Sequence, residues 1–455
     1  MINKSETLII DGKIKKDGLK ILVDHRSFDI TWPQAIWQKT PAAVKIALKE
    51  NLTYATTNFL PLILKKKKTS YKTAPPLLET FVFKNQLYDI MDSEWQDDKK
   101  PLTYLKPFYN LETEFLGNQS TIPKFSLKKK IQNKKPKAII PFTFGKESLT
   151  TFALCRELNI EPILVYCQEP AHPHEEKIKL KMLAALQKKY GVKTYFIKND
   201  TGLFRYGLAF KKNVGTEIGW AAQTTILALM SIPFALYHQA EYIFFGSENS
   251  NNSTEVIDGW KIYCSYDQTS HWTPQQSNMI RLLTGDQTRV CSILEPLEEL
   301  SILFLLINRY PEMASWLFSC GSKNPLLENS QWCHVCDKCE RIYAFASSLG
   351  FAPSMLGFIK KIGNKNNFLK NHLKNSGDID LDLEFALMLL VKNNCDWPCL
   401  KKFKQAQIKK FQTYSQHFKH FTGLMPAKNL PPTYKKQLLK IYTEELSQLK
   451  KVLPR

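Results

Sequence analysis

The chain has 455 residues, 44% of them hydrophobic and 12% aromatic, enough to bury large cores in two or three domains and too apolar for a disordered polymer. No run reaches the roughly 18 apolar residues that a bilayer span requires, and residues 1–7 lack the basic-then-apolar pattern of a secretory leader, so a cytoplasmic protein with reduced cysteines is expected. The net charge of +21 favours anionic partners, nucleotides and anionic small molecules ahead of nucleic acid, because the lysine blocks at 65–68, 128–130 and 134–137 carry no interleaved arginine or aromatic.

Residues 1–120 read as a separate N-terminal α+β module, with strands at Leu8-Ile9-Ile10 and Ile21-Leu22-Val23 and a helix over 41–52. Residues 121–137 are polar and lysine-rich and read as a basic linker. From Ala138 short buried strands alternate with amphipathic helices, the pattern of a parallel α/β sheet. Strands are predicted at 138–141, 162–167, 193–197 and 242–245, and helices at 148–158, 175–190 and 220–239. This α/β domain runs over 138–315, a four-cysteine segment and helix over 316–370, and a helical region over 371–455. Ligands of open α/β sheets sit at the carboxyl ends of the strands, which places the loops after Pro141, Cys167 and Phe245 around one crevice.

The loop after the first of these strands reads Thr143-Phe144-Gly145-Lys146-Glu147-Ser148 and runs into a helix, whose free N–H groups and partial positive charge suit an anion. Lys146 can neutralise phosphate, Glu147 can help hold Mg2+, and the hydroxyls of Thr143 and Ser148 can donate to phosphate oxygens; equally, Ser148 can simply cap its helix. Glu248 stands at a strand end beside the same crevice, as a metal or substrate ligand or as a hydrogen-bonded loop carboxylate. Asn249, Asn251 and Asn252 suit either a substrate anion or a turn, and His172 and His174 read as surface residues.

Downstream, Cys320 precedes the triplet Cys333, Cys336 and Cys339, whose two-residue spacing lets one tight turn aim three thiols at a common centre. Four thiolates satisfy tetrahedral Zn2+ and leave no position for water, so the expected role is structural. Cys395 and Cys399 have no second pair and read as buried thiols.

The segment Thr143–Ser148 resembles the Ser-Gly-Gly-Lys-Asp-Ser loop of PP-loop ATP pyrophosphatases, which split ATP to AMP and pyrophosphate, usually while adenylating a substrate. Further matching stretches are Phe245-Gly246-Ser247-Glu248-Asn249-Ser250, Leu294-Glu295-Pro296-Leu297-Glu298-Glu299-Leu300, Phe318-Ser319-Cys320 and Trp332-Cys333-His334-Val335-Cys336-Asp337-Lys338-Cys339. Within that superfamily the four-cysteine segment is similar to 7-cyano-7-deazaguanine synthase, and more so to the UDP-N-acetylmuramoyl-L-alanyl-L-glutamate epimerases of peptidoglycan synthesis. The resemblance covers residues 138–370, and a loose alignment of Asp267–Trp272 with a polar substrate-side segment of the epimerases makes Asp267 and His271 conceivable proton carriers. It implies a HUP-like nucleotide-binding domain, ATP, Mg2+ and Zn2+ as cofactors, Lys146, Glu147 and Glu248 as catalytic residues, and Thr143, Phe144, Gly145, Lys146 and Ser148 around the nucleotide. Two positions depart: Phe144 replaces a glycine, so that a ring is expected to obstruct the approach to pyrophosphate, and Glu147 replaces an aspartate.

Overall fold

The computed structural model describes residues 6–96, 100, 102–118, 120, 122–124, 135–210, 218–219, 222–321, 331–365, 368–369, 380–407 and 414–454. Most of the basic linker, and the expected start of a helix at Trp220, lie outside the described residues. Three antiparallel strands open the chain: β1 (Thr7–Ile14), β2 (Gly18–Val23) and β3 (Arg26–Thr31). The Asp24-His25 turn between β2 and β3 places Asp24 at φ 52°, a conformation Asp tolerates, and its carboxylate accepts the Ile9 N–H at 3.1 Å. Helices α1 (Gln34–Lys39), α2 (Ala42–Thr57) and α3 (Leu60–Leu64), strand β4 (Lys68–Tyr71), helices α4 (Glu79–Gln96) and α5 (Leu102–Tyr109), and strand β5 (Glu112–Phe115) follow.

The second half begins with β6 (Lys137–Pro141), α6 (Lys146–Glu157), β7 (Glu161–Cys167), α7 (Pro173–Tyr190) and β8 (Lys193–Asn199). It continues through α8 (Gln223–His238), β9 (Tyr242–Phe245), the hairpin β10 (Thr254–Ile257) and β11 (Trp260–Tyr263), α9 (Trp272–Leu283) and β12 (Arg289–Ser292). Helices α10 (Glu299–Arg309), α11 (Pro311–Ala314) and α12 (Asp337–Ser348) lead to four more at Leu381–Lys392, Pro398–Gln407, Tyr414–Phe421 and Lys435–Val452.

Ten strands form one mixed sheet in the order β12-β9-β6-β7-β8-β3-β2-β1-β4-β5. From β12 to β8 all neighbours are parallel, and numbering those strands along the chain gives a doubly wound 3-2-1-4-5 arrangement from β8 to β12. Strand alternation assigns the two faces. Ile140, Leu164, Tyr166 and Phe244 enter one core with α6, α7, α10 and the C-terminal helices; Ile139, Ile163, Val165 and Ile243 enter the other with α8 and α9. Connections leave β6 in opposite directions, toward β7 and toward β9, and the gap between β6 and β9 is the switch point where such sheets open a crevice.

The expectation of a separate N-terminal module meets a different arrangement. Strand β3 pairs with β8 through Ile30↔Asn199 and Thr31↔Lys198, so strands β1 to β5 extend the same sheet. Their core is shared too: Trp32 donates from Nε1 to the Met230 carbonyl at 2.9 Å, and Trp32, Leu48 and Leu52 join Ala228, Leu229 and Ile232 in one buried cluster. The apolar surface of α8 is the physical reason, since α1 and α2 pack on it alongside α9.

Candidate functional site

Thr143 to Ser148 join β6 to α6 at the switch point, and the loop is closed on itself. Ser148 Oγ donates to the Gly145 carbonyl at 3.1 Å and accepts the Thr143 N–H at 3.3 Å; Gly145 is the N-cap of α6, so Ser148 braces the loop rather than capping the helix. Gly246, at the end of β9, is required for space: a Cβ there would lie 2.6 Å from Glu147 Cβ, so α6 approaches the strand end only because position 246 has no side chain. Phe144 adopts φ 63° in the left-handed region, which explains why a glycine would suit this position. Its ring points away from the crevice, fully buried and edge-on to Phe142 at 4.8 Å. The expected obstruction is therefore absent from the described geometry, because the strained backbone turns the side chain into the core.

Lys146 is 5% exposed and faces three carboxylates rather than open solvent. Its ammonium contacts Glu147, lies 2.9 Å from Glu299 and 3.8 Å from Glu248. Burial works against its charge, yet the three carboxylates outweigh that and hold it protonated above the usual lysine range. Glu299 is pushed up by burial but held down to about 2 by Arg341 and Lys146, with Arg341 Nε 2.9 and 3.1 Å from its two oxygens. Arg341 continues to Asp380 at 2.6 Å. Glu248, 7% exposed, is raised well above the ordinary carboxylate range by burial, with Lys146 opposing, and its Oε2 accepts no hydrogen bond.

Two cavities flank this cluster. The first, about 230 Å³, lies over the carboxyl ends of β6, β7 and β8; Thr143 and Gly145 line it, as do Glu169, His172, Lys179 and Arg205. Arg205 pairs with Glu169, and Lys179 with Glu175 at 2.6 Å. The second, about 420 Å³, is walled by Glu248, Asn249, Glu298, Arg341, Asp382 and His420. Glu298 there accepts from Asn249 Nδ2 at 2.6 Å and Ser250 Oγ at 3.0 Å, and lies 2.8 Å from His420 Nε2. Asn251 and Asn252 serve the loop, Asn252 Oδ1 accepting the Ser270 N–H at 2.8 Å. Asp267 is a helix cap, accepting the Thr224 N–H and hydroxyl at 2.7 and 2.8 Å, and burial raises it to about 7. His271 precedes α9 and lines neither cavity, whereas His172, read from the sequence as a surface residue, lines the first.

The four cysteines converge. Sulfur separations are 3.4 Å for Cys336–Cys339, 3.6 Å for Cys333–Cys339, 3.8 Å for Cys339–Cys320 and 4.0 Å for Cys320–Cys336, all ligand atoms falling within 4.8 Å of one another. A tetrahedron with metal–sulfur distances of about 2.3 Å spaces its sulfurs about 3.8 Å apart, so the cluster can hold a metal such as zinc. The Cys336 N–H donates to Cys333 Sγ at 3.3 Å, and Cys336 starts α12, whose N-terminal dipole favours thiolates. His334 is no ligand: at φ 63° its ring turns aside and accepts the Ile359 N–H at 3.3 Å. Trp332 is fully buried, stacked on Phe358 at 4.5 Å and donating to the Leu356 carbonyl at 2.6 Å. Neither Cys395 nor Cys399 forms a disulfide; Cys399 is buried as expected, Cys395 only half-buried, and burial pushes Cys399 up to about 12.

Among the described residues no other His, Cys, Asp or Glu group converges closely enough to enclose a metal. Sequence reasoning missed Glu298, Glu299, Arg341 and His420. Adjacent glutamates opening an apolar helix, and an arginine two residues beyond a metal-site cysteine, were the available signals.

Fold and site together define an α/β protein with a charged crevice at its switch point and, beside that crevice, a four-cysteine group that can hold a metal ion. Compared with known proteins, no family model matches the chain, and no curated protein matches it.

Proposed function

We propose that this chain is an ATP-dependent enzyme of the PP-loop type, which adenylates a substrate carboxylate and releases pyrophosphate. The particular reaction proposed is epimerisation of the terminal L-glutamate of UDP-N-acetylmuramoyl-L-alanyl-L-glutamate. The observation that carries this reading is the Gly145-Lys146 loop at the switch point of a 3-2-1-4-5 parallel sheet, where α/β proteins bind nucleotides. The crevice is lined by both apolar side chains, Phe142, Val165 and Ile226, and polar or charged ones, Gln168, Lys179 and Arg205, a mixture that suits a nucleotide.

In this reading the α-amides of α6 and the charge of Lys146 stabilise negative charge developing on the phosphates. Activation of the glutamate α-carboxylate withdraws charge and acidifies the α-proton, which leaves one face and returns to the other before hydrolysis. Glu248, kept protonated more readily than an ordinary carboxylate, is the group in the second cavity suited to carry a proton.

A second reading is a PP-loop scaffold without catalysis, favoured by the engagement of Lys146 with three carboxylates. One assay separates them: AMP and pyrophosphate release from ATP and magnesium with the muramoyl dipeptide, followed by chiral analysis of glutamate. Substrate-dependent AMP with D-glutamate supports the epimerase; AMP without inversion points to another carboxylate, including a deazaguanine acid; absence of AMP supports the scaffold.

A further inference from the structure

The metal centre is built into the wall of the crevice. Ser319, adjacent to Cys320, and Lys338, adjacent to Cys339, both line the first cavity. The Phe318 N–H donates to the Phe144 carbonyl at 3.0 Å, tying the Cys320 arm to the β6–α6 loop. Lys338 lies between two metal-site cysteines in the first turn of α12, and its side chain runs along Gly321, where a Cβ would sit 3.8 Å from Lys338 Cδ.

The other cations of the cavity have counterions: Arg205 has Glu169, and Lys179 has Glu175. Lys338 makes no hydrogen bond or ion pair among the described residues. It is nevertheless close enough to act on both neighbours. Burial is the main cause lowering Lys179 and His172, and the charge of Lys338 lowers both further. Exposed and without a carboxylate partner among the described residues, Lys338 can meet an anion that enters the cavity.

We propose that Lys338 is the anion-recognising residue of this crevice, and that metal in the four-cysteine site controls anion affinity by fixing Lys338 and Ser319 in the cavity wall. The ligand group is a phosphate or a carboxylate, chemistries that a lysine ammonium binds as a point charge. This rests on the crevice being a ligand site, as in the function proposed above, but not on the reaction performed there.

The test is calorimetric titration of the zinc-loaded full-length chain with inorganic pyrophosphate, and separately with L-glutamate, which distinguishes phosphate from carboxylate recognition. At least one of these binds; Lys338→Met weakens it about tenfold to a hundredfold, and Lys338→Arg restores most of the affinity. Equal affinity in wild type and Lys338→Met, or no binding of either anion, overturns the proposal. A chain that binds anion through Lys338 but releases no AMP from ATP sustains this proposal and sinks the enzymatic one.

The metal arm uses cobalt in place of zinc, so that the thiolate-to-metal absorption reports the site itself. Adding anion shifts that absorption in the wild type and leaves Lys338→Met unchanged. Chelation of zinc, with far-UV circular dichroism retained, weakens anion binding in the wild type as much as the Met substitution does and adds nothing in the variant. An unshifted spectrum in wild type, or metal-free protein that binds as tightly as loaded protein, overturns the control by metal.

Discussion

Phe144 shows how a single residue can carry opposite meanings in sequence and in structure. A ring beside a phosphate loop suggests obstruction, but at φ 63° it fills the core next to Phe142. Phe144→Gly relieves backbone strain of about 1 kcal/mol and forfeits a buried aromatic side chain of about 3–5 kcal/mol, so we expect a net loss of about 2–4 kcal/mol in urea unfolding. No gain in nucleotide affinity should accompany it. Lys146 changes meaning in a similar way. Lys146→Ala leaves three carboxylates around an uncompensated site and should destabilise the chain by about 3–5 kcal/mol in the same experiment. Loss of activity in that variant would thus report folding as much as chemistry. The loop itself was legible from strand, glycine, lysine and helix in succession; the partners of Lys146 were not, because they come from α6, the loop after β9 and α10, which only the tertiary fold assembles.

Among the elements, α12 links the four-cysteine group to the loop: Cys339 lies in its first turn, and Arg341 reaches Glu299 at the start of α10, which in turn holds Lys146. Arg341→Met strands Glu299 and Asp380 and is expected to cost about 3 kcal/mol or more, with Arg341→Lys recovering only part because a single ammonium cannot reproduce the guanidinium fork. At the start of α8, Asp267 titrates near 7 against an unfolded value near 3.8, so it binds a proton more readily in the folded chain. The stability it contributes is complete below pH ~4 and is lost as pH rises to about 7. Asp267→Asn keeps the acceptor for Thr224 and should flatten the fall in denaturation midpoint across that window. The alternating β6 to β9 region was readable because buried strands there are short apolar runs between amphipathic helices. Strand β12, four residues opening on Arg289, has too little pattern to announce itself, and only its pairing with β9 defines it.

For the molecule as a whole, one ten-stranded sheet and a shared core make the first 120 residues part of the same folding unit as the α/β half. Tryptophan fluorescence and far-UV circular dichroism should therefore report one coincident denaturant transition, and a chain beginning at residue 135 should aggregate through the uncovered face of α8. Two separated transitions would contradict this. The independence expected of the N-terminal residues came from a composition change along the chain, which marks a linker but says nothing of what the strands on either side pair with. The other face of the sheet depends on the far end of the chain. The helix Lys435–Val452 packs on α10, where Glu445 pairs with Arg309 at 3.0 Å and the Tyr442 hydroxyl bonds the Ile293 carbonyl. Translation at about 5–20 residues per second leaves the apolar side of α10 without that cover for on the order of ten seconds on the ribosome. The apolar side of α10 thus meets its native cover only after residues 435–452 have been made, and until then it is open to misassociation.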